Sequence, residues 1–123
     1  MTEERRRGNR YLVSFPIRVE WNDENGEKRI SEGLTENVGI TGTLIHLPRH
    51  LPNVGNEVSL TVTEKPSNEV TVMAQVIRLE RNAAHPQVAL MLTDEEELWE
   101  KEVWEYAGEL LAAEKPEEFE DWN

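Results

Sequence analysis

Hydrophobic and polar residues alternate along the first three quarters of the chain. Val13, Phe15, Ile17, Val19 and Trp21 occupy every second position of one segment, which is the pattern of a strand with one buried face. The pattern predicts six strands, at about residues 13–21, 30–37, 43–47, 58–62, 70–79 and 88–92. The sixth is apolar throughout, which predicts that both of its faces are covered.

Turn-forming residues separate these strands. Asn25-Gly26 lies between the first two, and because both residues tolerate positive φ, it predicts a hairpin with a type I′ turn. Proline, asparagine and glycine mark most of the other breaks. None of the connections is long enough to hold a crossover helix. The strands should therefore be antiparallel and form a barrel or a sandwich.

The hydrophobic period changes at Thr93. Thr93 and Glu96 stand three positions apart, which predicts a capping box at the N-terminus of a helix. Apolar residues then recur at helical spacing and form one stripe, which consists of Trp99, Val103, Tyr106, Leu110 and Ala113. We expect this helix to end near Lys115-Pro116 and to pack against the strands. A coiled coil that dimerises the chain is the alternative, so we expect a monomer, with a dimer as the second reading.

Length and composition limit the class of protein. The 123 residues have the size of one domain. Cysteine is absent, which excludes disulfides and thiolate chemistry. The N-terminus is polar, and no apolar run approaches the length of a membrane span. We therefore expect a cytoplasmic protein without a membrane span.

The charge of the chain is distributed unevenly. The net charge is −12, but residues 94–123 carry 13 acidic and 2 basic side chains, so the rest of the chain is nearly neutral. This nearly neutral part contains a cluster of four arginines in one six-residue segment, at positions 5, 6, 7 and 10. Such a cluster can hold a small dianion. It is too small for duplex DNA or RNA, because those ligands need a broad basic surface.

Two short motifs carry the strongest indication of function. The first is Arg6-Arg7-Gly8-Asn9-Arg10, and the second is Asn37-Val38-Gly39-Ile40-Thr41-Gly42. Together they resemble the paired RRxxR and (Asp/Asn)-x-Ser-x-x-Gly elements of PilZ domains, which are bacterial receptors for cyclic di-GMP. Gly39 stands where that family has serine.

The resemblance implies an all-β fold, a six-stranded antiparallel β-barrel with a C-terminal α-helix. It implies a leader at residues 1–10, a barrel at 11–93, a helix at 94–115 and an acidic tail at 116–123. Cyclic di-GMP would bind on the outer surface of the barrel, beneath the flexible leader. The ligand-binding residues implied are Arg6, Arg7, Arg10, Asn37, Gly39 and Gly42.

The resemblance also implies a receptor without catalysis and without a cofactor. The bound nucleotide would change how the domain meets a partner protein that controls motility, biofilm or surface polysaccharide. The alternative is an interaction protein of a pilus or motility assembly that acts independently of the nucleotide. Arg78, on the fifth predicted strand, is left out of the site because the pattern does not determine its register.

No catalytic or metal-binding motif is evident from the spacing of residues. His46 and His50 stand four positions apart, but they flank a proline in a strand-and-loop context and have no third ligand nearby in the sequence. The chain has no nucleophile elbow and no phosphate-binding Gly-Lys-Ser/Thr loop. The sequence therefore predicts neither an enzyme nor a metal site.

Overall fold

One antiparallel sheet, closed into a barrel, forms the body of the protein. The computed structural model describes the backbone of residues 10–122 and the side chains of residues 10–113. The strands are β1 (Arg10–Tyr11), β2 (Pro16–Asn22), β3 (Lys28–Gly39), β4 (Gly42–His46), β5 (Glu57–Val62), β6 (Val70–Glu80) and β7 (Gln87–Leu92). Six of them follow one another in the order β3-β2-β5-β6-β7-β4, and β4 pairs back with β3. This closure confirms the predicted six-stranded barrel, and the short β1 is added beside the end of β3.

The β2–β3 hairpin turns through residues 23–27 and is longer than predicted. Gly26 has a φ of 80°, but Asn25 does not have positive φ, so the turn is not of type I′. The Asp23 carboxylate accepts hydrogen bonds from the backbone N–H groups of Asn25 and Glu27 and from Nε of Arg29, each at 2.9 Å. The N–H group of Glu27, followed by Arg29, holds the pKa of Asp23 below its usual value. The side chain of Asp23 therefore organises this turn.

The alternating residues of β2 point into the barrel as predicted. Phe15, Ile17, Val19 and Trp21 are all buried, and they meet the inward residues of the other strands in one core. The expectation that both faces of β7 are covered holds for Val88, Ala89 and Leu90, which are all buried, but it is wrong at Met91, which is 49% exposed. Strands of an antiparallel barrel have one face on the core and the other on solvent.

Two β-bulges change the alternation of inward and outward residues. In β3 the register shifts between Thr35 and Asn37, and in β6 it shifts between Val76 and Arg78. Each bulge adds one unpaired residue to its strand. Strict alternation from the inward Thr35 and Val76 would have pointed Asn37 and Arg78 into the core. The bulges instead place both side chains on the outer surface.

The C-terminal helix contains a π-helical stretch. It consists of α1 (Glu96–Trp99), the π-helical segment Glu100–Trp104 and α2 (Glu105–Trp122). The predicted capping box is wrong, since the N-cap residue is Glu95, with a φ of 54° and no side-chain capping bond. Asp94 instead accepts a hydrogen bond from the backbone N–H of Met73 at 2.8 Å. This bond ties the start of the helix to β6.

The predicted end of the helix near Lys115 is also wrong, because the helix continues to Trp122. The fixed φ of Pro116, about −65°, is itself helical, and the residues around it are mostly good helix formers. No helix among residues 10–122 is long and apolar enough to cross a membrane.

The helix packs against the barrel, as predicted. Trp99, Val103 and Ala107 are fully buried, at a spacing of four residues across the π-helical segment. Tyr106 and Leu110, which the sequence placed in the stripe, lie only partly buried at the edge of the core. A π-helix has a wider turn than an α-helix, so the buried face differs from the one that an ideal helical period predicts.

Candidate functional site

A row of paired residues crosses the outer surface of four neighbouring strands. Asn37 of β3 pairs with Leu44 of β4, which pairs with Ala89 of β7, which in turn pairs with Arg78 of β6. Adjacent strands lie about 4.8 Å apart, so the two ends of the row are separated by about 14 Å. These residues line a surface groove of about 200 Å³.

Arg10 lies at the Asn37 end of this groove. Strand β1 pairs Arg10 with Gly39 of β3, and Nη1 of Arg10 donates a hydrogen bond of 2.9 Å to Oδ1 of Asn37. The Arg10 side chain is exposed and lines the groove. The last residue of the first motif is therefore in direct contact with the first residue of the second.

Gly39 leaves room for that contact. A Cβ atom at position 39 would lie 3.0 Å from Nη1 of Arg10 and 3.3 Å from the carbonyl oxygen of Gly42. The φ of Gly39 is not positive, so its backbone would accept other residues. Its carbonyl oxygen accepts a buried hydrogen bond of 2.8 Å from Nε1 of Trp99, which ties the second motif to the helix.

Gly42 has a structural role where β4 meets β7. A Cβ atom at position 42 would overlap the backbone carbonyl oxygen of Leu90. Only glycine permits this close approach of the two strands. The next residue, Thr43, donates a hydrogen bond of 2.6 Å from Oγ1 to the carbonyl oxygen of Asn37 and so holds the two ends of the motif together.

The helix also holds β1 in place. Tyr11 pairs with Val38, and its ring lies 5.3 Å from the ring of Trp104, measured between centroids. A Cβ atom at Gly108 would come within 3.0 Å of the Tyr11 ring, so this ring rests directly on the helix. Because Arg10 directly precedes Tyr11, the packing of Tyr11 on the helix also helps to fix the backbone position of Arg10.

Arg78 supplies a second guanidinium group at the far end of the groove. Its Nε donates a hydrogen bond of 2.7 Å to the Glu80 carboxylate, and its side chain is 57% exposed. Guanidinium groups stay protonated and only donate hydrogen bonds. A groove with one at each end and an amide between them is suited to bind an anion.

Comparison with protein families identifies the chain. The model of the PilZ domain family matches residues 4–107. The chain belongs to the PilZ domain family. Comparison with curated protein sequences gives no match.

Several solved structures share the fold of this PilZ domain. The PilZ domain of YcgR from Escherichia coli, with c-di-GMP, has a TM-score of 0.63 and 11% identity, over 89% of this chain and 93% of that one. The PilZ domain of CeSA from a cellulose-synthesizing bacterium has a TM-score of 0.57 and 19% identity, over 83% and 97%. The inhibitor of motility MotI/DgrA from Bacillus subtilis has a TM-score of 0.61 and 14% identity, over 86% of this chain and 51% of that one. Because the sequence identities are this low, the likeness shows a shared fold and nothing more.

The structure brings together four of the six residues that the sequence proposed for this PilZ domain. These are Arg10, Asn37, Gly39 and Gly42, whereas Arg6 and Arg7 lie outside the described residues. Arg78, which the sequence prediction left out because its register was undetermined, lies at the far end of the same groove. The sequence contained a signal for the bulge in β6. Inward apolar residues of the strand are two positions apart up to Val76, but the next one, Leu79, comes three positions later.

Proposed function

We propose that this PilZ domain is a non-catalytic receptor for cyclic di-GMP. The observation that carries the proposal is the hydrogen bond between Arg10 and Asn37. It joins the two motifs at one end of a groove that has a second arginine at its other end. In this proposal Arg6, Arg7, Arg10, Asn37, Gly39 and Gly42 form the binding site, together with Arg78.

The chemistry of the ligand supports these roles. Cyclic di-GMP has two phosphates and two guanines. The planar fork of arginine matches phosphate oxygens or the O6 and N7 edge of guanine, and its face stacks on a base. The amide of Asn37 donates and accepts hydrogen bonds at the guanine edge. The structure of the YcgR PilZ domain with c-di-GMP, which has the same fold, supports the choice of ligand.

We further propose that the bound nucleotide changes the contact of the domain with a partner protein. Control of motility, biofilm or surface polysaccharide is the process we favour. The fold is shared with a protein named as an inhibitor of motility and with a PilZ domain from a cellulose-synthesizing bacterium, which supports this choice.

One observation favours a second candidate function. Gly39 lacks the serine hydroxyl of the family pattern, and the Asn37 side-chain oxygen is already engaged by Arg10. A barrel in which Arg10 stays bound to Asn37 instead of to a ligand would act as an interaction module of a pilus or motility assembly, independently of the nucleotide.

Calorimetry with cyclic di-GMP on the full chain distinguishes the two candidates. A receptor should bind in the micromolar range or tighter, which corresponds to about −8 kcal/mol at 1 μM. Arg6→Ala, Arg7→Ala and Arg10→Ala should each weaken binding by about 1.5 to 3 kcal/mol, the range for hydrogen bonds to charged groups. If a folded sample shows neither binding heat nor amide shift changes at a large excess of ligand, the second candidate stands.

Matched control variants distinguish a direct contact of the ligand with Arg78 from an effect of net charge alone. Arg29 pairs with Asp23 at the start of β3, eight positions before Asn37 and roughly 25 Å away along the strand. Arg29→Ala removes the same charge and should leave the affinity unchanged. Arg78→Ala should weaken binding, while Glu80→Gln, which frees Arg78, should not. Equal losses in Arg29→Ala and Arg78→Ala would show that Arg78 acts only through net charge.

A further inference from the structure

Three potential metal ligands from separate segments meet on the outer surface of the barrel. Glu36 is the extra residue of the β3 bulge, His46 is the last residue of β4, and His85 lies in the turn between β6 and β7. One ligand atom from each of the three lies within 4.8 Å of those from the other two. The sequence paired His46 with His50, whereas the fold pairs it with His85 and Glu36.

The ring of His46 is oriented as in a metal ligand. Its Nδ1 lies 2.7 Å from the backbone carbonyl oxygen of Pro86. A carbonyl oxygen only accepts hydrogen bonds, so Nδ1 carries the hydrogen, and in the neutral ring Nε2 has the lone pair that a metal requires. Histidines that bind metals commonly donate their second ring N–H to a backbone carbonyl, which fixes the tautomer and the orientation of the ring.

His85 and Glu36 complete the cluster. Nε2 of His85 contacts Oε2 of Glu36 directly. The rings of His46 and His85 are stacked, with centroids 3.9 Å apart and planes inclined by 12°. The side chains of His85 and Glu36 are 48% and 29% exposed, so both have room to rotate. The three ligand atoms therefore lie close together on the outer surface, and the ring of His85 has to rotate out of its stack with His46 before both imidazole lone pairs can point at one metal ion.

We propose that Glu36, His46 and His85 form a binding site for a divalent late transition metal, with zinc as the probe. Two histidines and one carboxylate form a three-ligand set with an open fourth position, which zinc accepts in tetrahedral geometry. Ligand bonds of about 2.1 Å place the ligand atoms roughly 3.4 Å apart, so Nε2 of His85 and Oε2 of Glu36, which are in direct contact, must move apart to admit the metal. The bound metal joins the β3 bulge, the end of β4 and the β6–β7 turn.

The site is independent of nucleotide binding. Its ligands are distinct from Arg10, Asn37 and Arg78, and the contacts that define it lie within the cluster. A failure of cyclic di-GMP binding therefore leaves the metal site in place, and a failure of metal binding leaves the receptor proposal in place.

Zinc titration of the untagged full chain, in competition with a chromophoric chelator, tests the proposal. The protein should bind one equivalent of zinc. His46→Ala and His85→Ala should each lower the affinity by tenfold or more, because loss of an outer partner of a ligand alone costs about 10- to 100-fold. His50→Ala removes the third histidine of the chain and should leave the affinity unchanged. Absence of stoichiometric binding, or an equal loss in all three variants, would overturn the proposal.

Imidazole nitrogen shifts of the unmodified protein give a test that does not depend on the folding of any variant. On addition of zinc, the shifts of His46 and His85 should change together and saturate at one equivalent, while those of His50 stay constant. A change confined to His50, or no change in the three rings at one equivalent, contradicts the site. Glu36→Gln should weaken zinc binding without loss of the His46 response.

Discussion

The guanidinium group of Arg10 lies in the space that a side chain at position 39 would need. A Cβ atom there would be 3.0 Å from Nη1 of Arg10, which is tight, but the guanidinium is the end of a flexible side chain. The backbone of Gly39 has no positive φ, so a replacement causes no strain. A side chain at position 39 would therefore act on the proposed site by displacing Arg10 and, if it is serine, by adding a hydroxyl group.

Gly39→Ser should tighten the binding of cyclic di-GMP by a factor of about three to ten. The added hydroxyl contributes one hydrogen bond, worth about 0.5 to 1.5 kcal/mol, and Arg10 has only to shift by a few tenths of an ångström. Calorimetry on the variant and on the unmodified protein measures the difference.

Gly39→Ala is the matched control, because it adds the same Cβ atom without the hydroxyl. It should not improve the affinity. If serine and alanine both weaken binding, the Cβ atom displaces Arg10 and the site depends on glycine.

At the scale of elements, the helix supports the groove as well as the core. Trp99 donates a buried hydrogen bond to the carbonyl oxygen of Gly39, and Trp104 packs on Tyr11. The helix thus contacts both β1 and the end of β3, the two strands that carry the motifs. Substitutions on the face of the helix that packs against the barrel should therefore alter the groove, although they lie outside it.

Gly108→Ala should destabilise the protein by about 1 kcal/mol. The same substitution inside a helix is usually stabilising by about that amount, but here the new Cβ atom would lie 3.0 Å from the Tyr11 ring. Urea unfolding measures the change. In a Tyr11→Ala background the ring is absent, so Gly108→Ala should become stabilising. A stabilising effect in both backgrounds would mean that Tyr11 does not rest on the helix at this point.

Val103→Asp should lower the stability sharply, by about 3 to 5 kcal/mol, because it leaves an uncompensated charge in the core. Val103 is 1% exposed. Leu98→Asp is the control on the same helix: Leu98 is 38% exposed, so this variant should stay within about 0.5 kcal/mol. Thermal unfolding and size-exclusion chromatography of both variants measure the effect. A stable, monomeric Val103→Asp protein would identify the helix as a surface for a partner instead of a part of the core.

At the scale of the whole molecule, charge is separated between the barrel and the helix. Residues 94–123 carry most of the net charge of −12, whereas the groove has an arginine at each end. The local field of the groove favours an anion, and the field of the whole molecule opposes its approach. Affinity and association rate should therefore respond differently to the acidic residues.

The double variant Glu105→Lys/Glu109→Lys should speed the association of cyclic di-GMP. Both residues are exposed, and each reversal adds two charges, which takes the net charge from −12 to −8. Stopped-flow measurements at low ionic strength should show a rate increase of about twofold. At 0.5 M salt the difference should vanish, because exposed charges are then screened within a few ångströms. A difference that persists at high salt would indicate a direct contact of the helix with the ligand.

Much of the architecture follows from local patterns in the sequence. The alternation of Phe15 through Trp21 determines which face of β2 is buried, and the helical spacing after Thr93 determines that a helix follows the strands. Such periods reflect burial of one face of an element, which is a property of neighbouring residues. The six strands and the helix were therefore predicted correctly, whereas the helix ends and the hairpin turn were not; the family followed from the two motifs and not from the periods.

The tertiary structure alone decided the composition of the groove. The bulges at Glu36 and Ile77 turn Asn37 and Arg78 outward, and the registers of four strands then align these two residues in one row. Each bulge lies between consecutive strands, β3–β4 and β6–β7, but Asn37 and Arg78 come into one row only through the pairing of β4 with β7, which lie far apart in the sequence. The same holds for Glu36, His46 and His85, whose meeting point depends on that pairing. Periodicity is a local property, whereas register and barrel closure are long-range, so the sequence determined the elements and the structure determined which side chains meet.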